Sequence, residues 1–383
     1  MKPESGLCAS ALITALMSGL ISIAGAEVQA RNLDVLDKSV RQIIGDEIAE
    51  GRILGAVVGV GLNGRTVYRQ ALGKKAVMPQ TLPMTLDTIF DLASLTKVIA
   101  TTAAVMQLVD AGQLSLAAPA AKYWPTFGNE GKASITVEQL LTHTSGLRAD
   151  LDLAEQWSGE RAALMLIEKE RPRHEPGAQF VYSDINFIAL AELIKRITGT
   201  RLDHYSKQHI FALLQLHDTA FHPSSTKRPR IAPTERVNGE LRWGKVHDPT
   251  AYRMGGVAGH AGLFSTVDDL GRFAEMLLSN GISGNVRILS SASVERMTRD
   301  HLLSGDVHRG LGWDIASPYS SGMDKAFGGG SYGHTGYTGT SLWLQPATGT
   351  FLIILTNRLH PHGTGDVKLL RERLSLTVAE FVK

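Results

Sequence analysis

The chain has 383 residues, 43% of them hydrophobic and 20% charged, which is typical of globular proteins and enough to form a large core. Its formal net charge of +2 argues against a nucleic-acid partner, and we interpret the short basic cluster at 227–230 as a solvated loop. The single cysteine, Cys8, excludes disulfides within the chain.

The N-terminal segment is typical of a secretory signal peptide. An uncharged apolar run at 6–26 follows Lys2 and ends in small residues, so we expect cleavage after Ala26 or after Ala30. A run of about 20 apolar residues could also span a bilayer, so a membrane anchor is the alternative. With residues 1–26 removed, the mature protein would be periplasmic or secreted, without a stable membrane anchor and without a thiol.

The first predicted elements are a helix and a hairpin. The helix covers 33–50, and two strands at 55–62 and 65–73 are joined by Asn63-Gly64, a pair that suits a tight turn. The middle of the chain is mostly helical in pattern, and its clearest helices cover 95–111, 184–198 and 267–281. The C-terminal part returns to strands at 331–345 and 350–357, followed by a helix from about Asp366.

Strands at both ends of the sequence, with helices between them, predict an α+β fold. We expect a central antiparallel sheet built from the N- and C-terminal segments, with flanking helices and a second, mostly helical lobe. The predicted organisation is a single two-lobed domain at 27–383. Its sheet lobe would cover about 27–90 and 305–383, and its helical lobe about 91–304.

Several short patterns match familiar motifs but lack the context that those motifs need. Glycines at 59–64 fit a dinucleotide fingerprint, yet a strand rather than a helix follows them. The serine within 329–333 fits a nucleophile elbow, yet a Gly-rich loop precedes it and a strand follows. Residues 224–227 carry Ser-x-x-Lys without an apolar helix to hold the pair. His360 and His362 lack further metal ligands, and we expect neither a metal nor a cofactor.

Ser94 and Lys97 form a second Ser-x-x-Lys pair, at the start of a strongly apolar helix. Residues three apart on a helix share a face, so the two side chains can touch. A serine hydroxyl becomes a nucleophile when a base removes its proton, and burial can make lysine that base by lowering its pKa. Free N–H groups at the helix start could stabilise an oxyanion. The alternative is a capping serine beside a lysine that reaches solvent.

Two further stretches occur in the order that a known family shows. Tyr182 follows a Pro-Gly turn and precedes a helix, and a strand begins with His334, Thr335 and Gly336. With the Ser-x-x-Lys pair, they resemble the three active-site elements of the serine β-lactamase and penicillin-binding protein family. The set is most similar to the branch of class C β-lactamases, DD-peptidases and related carboxylesterases. Other matching segments are 140–147 and 255–270.

The resemblance implies a role for each motif. Ser94 would be acylated, while Lys97 and Tyr182 would share the work of the base. The backbone N–H groups of Ser94 and Tyr337 would form the oxyanion hole. The substrate-binding positions would be Asp184, His334, Thr335 and Gly336.

Two positions depart from the β-lactamase pattern. Asp184 stands where Tyr-x-Asn has an amide, and a carboxylate cannot donate a hydrogen bond. His334 stands where β-lactamases have lysine, although histidine also occurs there in DD-peptidase relatives. We therefore expect weak or no β-lactam hydrolysis. We also expect the imidazolium of His334, with a pKa of about 6.5, to bind a substrate carboxylate.

The function we favour is an exported serine hydrolase of DD-carboxypeptidase type that acts on cell-wall peptides through an acyl-enzyme. A carboxylesterase acting on small acyl esters is one alternative. A muramyl-alanine amidase of murein recycling is another, because 246–264 resembles relatives with that role. There His247, Asp248 and His260 could contact substrate or make structural hydrogen bonds. A non-catalytic penicillin-binding sensor is an alternative of a different class.

Overall fold

The computed structural model describes residues 32–304 and 306–382. The predicted signal peptide and both candidate cleavage sites lie outside these residues. Within the described ranges, no helix is long and apolar enough to cross a membrane.

The strands confirm the predicted antiparallel sheet. Within the described chain a nine-stranded sheet has the order β10-β11-β12-β13-β14-β15-β1-β2-β3, so the N-terminal hairpin pairs directly with the last strand. The strands are β1 (Gly55–Leu62), β2 (Arg65–Ala76), β3 (Leu82–Pro83), β4 (Phe90–Asp91), β5 (Arg236–Val237), β6 (Glu240–Leu241), β7 (Phe264–Ser265), β8 (Ile282–Ser283), β9 (Val286–Arg287), β10 (His301–Ser304), β11 (Val307–Arg309), β12 (Asp314–Ala316), β13 (Tyr332–Thr335), β14 (Ser341–Gln345) and β15 (Thr350–Thr356).

The helices lie where the hydrophobic spacing predicts them, and the α+β fold is confirmed. The helix predicted at 95–111 is irregular at its start, because Lys97–Thr102 form a π-helical segment before the regular helix begins. The helices are α1 (32–49), α2 (Ala103–Asp110), α3 (Val137–Leu141), α4 (Glu160–Lys169), α5 (Asp184–Thr198), α6 (Leu202–Ser206), α7 (Pro249–Arg253), α8 (Val267–Leu278), α9 (Ser291–Thr298), α10 (Met323–Phe327) and α11 (Lys368–Val382).

Alternate residues of the central strands face opposite layers, as the two-residue period of a strand requires. Val58 and Ile354 pack with α1 and α11 on one face of the sheet. Their neighbours Val57 and Ile353 belong to the main core on the other face, which includes residues of α2, α5 and α8. The sheet is therefore buried on both faces. The division into a sheet lobe and a helical lobe stays a prediction.

The hairpin at 59–64 agrees with the interpretation of its glycines. Asn63 and Gly64 both have positive φ, 50° and 71°, as a tight turn between β1 and β2 requires. The element that follows these glycines is the strand β2, where the fingerprint needs a helix. In the Ser-x-x-Lys pattern at 224–227, the lysine pairs with an aspartate. Lys227 Nζ lies 2.8 Å from Asp218, while Ser224 begins a short 3₁₀ helix.

Candidate active site

The loop at 92–96, which carries Ser94, is a tight turn between β4 and the π-helical segment. Ala93, immediately before Ser94, adopts φ = 47° in the left-handed region. The carboxylate of Asp91 accepts a 2.9 Å hydrogen bond from Ala93 N, and the Thr96 hydroxyl donates to Ala93 O at 2.7 Å. These bonds hold an otherwise unfavourable backbone conformation and leave the Ser94 side chain only partly buried.

Lys97 is fully buried and contacts Ser94. Its Nζ donates to Ser94 Oγ at 3.1 Å and to His260 O at 3.3 Å, and it lies 2.6 Å from Asp184 Oδ1. Burial acts to lower the pKa of Lys97, but the Asp184 carboxylate, with Tyr182, outweighs it and raises the pKa above its ordinary value. The expectation of a lysine with a lowered pKa is therefore wrong. In this site Lys97 is an ammonium.

Tyr182 lies between two buried cations. Lys97 Nζ is 4.7 Å from the centroid of its ring, and Arg309 Cζ is 6.0 Å from it. The next residue, Ser183, caps α5 by accepting from Asn186 N, so Tyr182 is fixed just ahead of the helix. The position suits a tyrosine that gives and takes a proton.

Asp184 belongs to a buried charge network. His260 Nε2 lies 2.9 Å from Asp248 Oδ1, and one ligand atom of each of these residues and of Asp184 lies within 4.8 Å of the others. Burial acts to lower the pKa of His260, but Asp248 and Asp184 outweigh it and raise the pKa. Burial acts to raise the pKa of Asp248, but His260 outweighs it, so the pKa of Asp248 lies below its ordinary value. The three side chains could surround a cation, but the Lys97 ammonium already occupies that role at Asp184.

The third motif, His334–Gly336, lies beside the loop that carries Ser94. A Cβ atom on Gly336 would meet Leu92 O at 2.5 Å, so only glycine fits there. His334 is buried, and its Nδ1 lies 2.8 Å from Thr335 O. Burial, with Arg309 and Lys97 nearby, lowers the pKa of His334 well below its ordinary value. The expectation of an imidazolium at His334 is therefore wrong.

Two backbone amides are free to bind an oxyanion. Among the residues that the structure describes, neither Ser94 N nor Tyr337 N donates to an acceptor. The exposed ring of Tyr337 lies between the His247 ring, 5.7 Å away, and the Arg358 guanidinium, 4.5 Å away. Arg358 Nε also donates to Tyr337 O at 2.6 Å. Two of these contacts hold the Tyr337 ring, and the third holds its backbone carbonyl.

His247 and Asp248 anchor opposite halves of the site. His247 N donates to Asp91 Oδ2 at 2.7 Å, and its Nε2 lies 2.6 Å from Glu235 Oε1. Its ring therefore holds Tyr337 on the oxyanion side, while Asp248 holds His260 on the Lys97 side. His247, Asp248 and His260 therefore all make structural hydrogen bonds, and these bonds lie within the site itself.

A pocket of about 420 Å³ opens beside Ser94. Three basic side chains line it, and sequence reasoning missed all of them. Burial and the nearby Arg358 lower the pKa of Arg371 to about 9, so Arg371 stays charged at neutral pH. Asp366 is the acidic residue in this lining. The lining residues are Ser94, Tyr182, Pro318, Tyr319, Ser321, His334, Thr335, Gly336, Tyr337, Arg358, Asp366, Val367, Lys368 and Arg371.

The fold thus brings the predicted motifs together. Lys97 contacts both Ser94 and Tyr182 and is paired with Asp184. Ser94, Tyr182 and the His334–Gly336 segment line the same pocket. Two further buried residues were missed. Arg309 has no sequence signal, whereas His143 lies in a segment, 140–147, that matches the family.

Comparison with known proteins agrees with this arrangement. The chain matches the family model described as Beta-lactamase over residues 40–377, and it belongs to that family. It is 32% identical over 338 residues to the "Putative D-alanyl-D-alanine carboxypeptidase" of Escherichia coli (strain K12), covering 78% of this chain and 77% of that protein. A protein of the same name from Salmonella typhi is 32% identical over 327 residues, 76% of this chain and 74% of the relative.

Solved structures share the fold at lower identity. A penicillin-binding protein homologue from Caulobacter crescentus has a TM-score of 0.73 at 22% identity, covering 89% of this chain and 97% of its own. A class C β-lactamase has a TM-score of 0.73 at 20% identity, with 90% and 96% covered. EstCE1, a hydrolase with promiscuous acyltransferase activity, has a TM-score of 0.71 at 22% identity, with 89% and 98% covered. Family and relatives together support a hydrolase.

Proposed function

We propose that the protein is an exported serine hydrolase of DD-carboxypeptidase type, which removes the C-terminal residue of cell-wall peptides through an acyl-enzyme on Ser94. Its small-molecule substrate would be a peptidoglycan-derived peptide. The observation that carries the proposal is the charge of the pocket beside Ser94, where Arg358, Lys368 and Arg371 face one acidic residue, Asp366. A pocket with this excess of positive charge suits a substrate that ends in a carboxylate.

The proposed reaction begins with proton transfer from Ser94. Because Lys97 already carries a proton, the proton acceptor in this proposal is Tyr182, whose ring lies near Lys97 and Arg309. Ser94 Oγ attacks the scissile carbonyl, whose oxygen takes the negative charge beside Ser94 N and Tyr337 N. The C–N bond breaks as Tyr182 returns the proton to the leaving amine. A water then attacks the ester carbon as Tyr182 takes its proton. The bond from this carbon to Ser94 Oγ breaks, Tyr182 returns the proton to Ser94, and the acid product leaves.

Two features disfavour penicillins as substrates. Asp184 presents a carboxylate, which cannot donate a hydrogen bond to their side-chain amide. His334 is neutral and cannot supply the cation that lysine supplies in β-lactamases. A carboxylesterase uses the same Ser94 machinery without a carboxylate on the substrate, and is the second candidate. The intact contacts among Ser94, Lys97 and Tyr182 argue against a non-catalytic sensor.

The experiment compares a D-Ala-D-Ala peptide with a neutral nitrophenyl ester. Lys368→Ala removes an exposed cation of the pocket without touching Ser94, and should raise KM for the peptide about tenfold while leaving the ester unchanged. Lys325→Ala, at an exposed lysine outside the pocket, is the matched control. Ester turnover without any peptide turnover would replace the carboxypeptidase by the esterase. Cleavage of a muramyl peptide between lactyl group and alanine would instead identify the amidase.

A further inference from the structure

We propose that His143 is a positioning residue for Tyr182: a neutral imidazole that holds the tyrosine between its two cations. The inference rests on the proposed role of Tyr182 in proton transfer. The three active-site motifs do not include His143. It is completely buried, so it does not face the pocket, and its effect would reach the substrate only through Tyr182.

His143 holds the Tyr182 segment by three separate contacts. Its carbonyl oxygen accepts from Val181 N at 2.9 Å, and its Nδ1 accepts from Ser183 N at 3.0 Å. Its ring stacks on the Tyr182 ring with centroids 4.4 Å apart and an interplanar angle of 27°. One residue thus bonds the backbone on both sides of Tyr182 and packs against the side chain between them.

The backbone of His143 is itself in an unusual conformation. Its φ of 59° lies in the left-handed region, which asparagine and histidine tolerate better than most residues. A further hydrogen bond joins the 143–145 turn to α5, because Ser145 Oγ donates to Asn186 Oδ1 at 2.6 Å. The 143–145 turn therefore remains attached to α5 when the His143 side chain is altered. This attachment makes side-chain variants informative.

The imidazole must be neutral for this role. Nδ1 accepts a hydrogen bond, so the ring proton sits on Nε2. Burial, together with the cations Arg309 and Lys97 and the neighbouring His334, lowers the pKa of His143 well below its ordinary value. A third positive charge beside Tyr182 is avoided, and a flat ring at contact distance limits how far the phenol can tilt. Tyr182 then keeps its distances to Lys97 and Arg309.

The test separates the hydrogen bond from the stacking contact. His143→Asn keeps an acceptor near the Nδ1 position and suits the left-handed backbone, His143→Phe keeps a ring without an acceptor, and His143→Ala keeps neither. His204→Ala, at an exposed histidine, is the control. Active sites are counted by titration with a phosphonate, so that misfolded protein does not enter kcat.

We expect His143→Ala to lose about 100-fold in kcat per titrated site for a nitrophenyl ester, since a misplacement of about 1 Å can cost that much. KM should change less than about twofold. His143→Asn and His143→Phe should each recover part of kcat.

Unchanged kcat per titrated site in His143→Ala, or a loss of activity that lies mainly in KM, would overturn the positioning role. Loss in His143→Ala that neither partial variant recovers would also overturn it. Failure of the proposed function gives a different result: Ser94→Ala would then retain ester hydrolysis, and no phosphonate would titrate the parent protein.

Discussion

Asp184 Oδ1 and Lys97 Nζ lie 2.6 Å apart, and this contact sets the protonation of the whole site. A lysine buried beside a serine alone would lose its proton easily, whereas one paired with a carboxylate keeps it. The Tyr-x-Asp motif therefore does more than remove a hydrogen-bond donor. It raises the pKa of Lys97, so that Lys97 lies beside Tyr182 as a cation rather than as a free base.

Asp184→Asn should lower the pKa of Lys97, because burial then acts without an opposing charge. The measurement is the ¹³Cε chemical shift of Lys97 against pH in labelled protein. The rising limb of kcat should move to lower pH as a neutral lysine becomes available as a base. An unchanged titration of Lys97 would show that Asp184 does not control its charge. Asp268→Asn, at a surface ion pair, is the control.

Ser94→Ala should lower turnover by up to about a million-fold, the loss seen when a serine nucleophile is removed. Ser224→Ala should leave turnover unchanged, since Ser224 is exposed in the other Ser-x-x-Lys pattern. Peptide mass spectrometry after a phosphonate label should find the adduct on Ser94. An adduct on Ser331, whose hydroxyl donates to Gly328 O at 2.8 Å, would refute the assignment.

KM for a substrate with a carboxylate should be flat between about pH 6 and 8, because His334 is already neutral over this range. His334→Lys should introduce a cation and lower KM for acidic peptides relative to neutral esters. The check is KM against pH for one acidic and one neutral substrate in both proteins. A drop in KM of the parent on acidification, seen only with the acidic substrate, would restore the imidazolium hypothesis.

Stability should fall as the pH drops below about 6.5. His143 and His334 have folded-state pKa values well below that of an unfolded histidine, so the unfolded chain binds more protons in this window. Each can contribute a slope of up to about 1.4 kcal/mol per pH unit. The raised pKa of His260 acts at higher pH, where its stabilisation is lost as the proton leaves. Chemical unfolding at several pH values should show a smaller slope for His334→Asn, and equal slopes would contradict this.

Much of the fold could be predicted because its signals are local. The turn at Asn63-Gly64, the apolar run of β15 and the helix at 184–198 depend on neighbours in sequence. Ser94 and Lys97 were found for the same reason, since three residues along a helix fix their separation. Tyr182 needed the resemblance to a family as well.

The charges of the site could not be predicted in this way. The pKa of Lys97 depends on Asp184, which arrives from a different helix, and the neutral state of His334 depends on burial and on Arg309 from another strand. Arg371 reaches the pocket from the last helix. Such contacts come from tertiary packing between separate elements of the fold, and no local pattern encodes them.

The adjacency of His247 and Asp248 has a consequence for how the enzyme can change. One peptide bond joins the support of the oxyanion side to the support of the lysine side, so neither half can be adjusted there without disturbing the other. Selection for new substrates should therefore leave this dipeptide intact. Altered specificity should arise instead at Tyr319, an exposed residue of the rim that touches Tyr182 from a loop of its own.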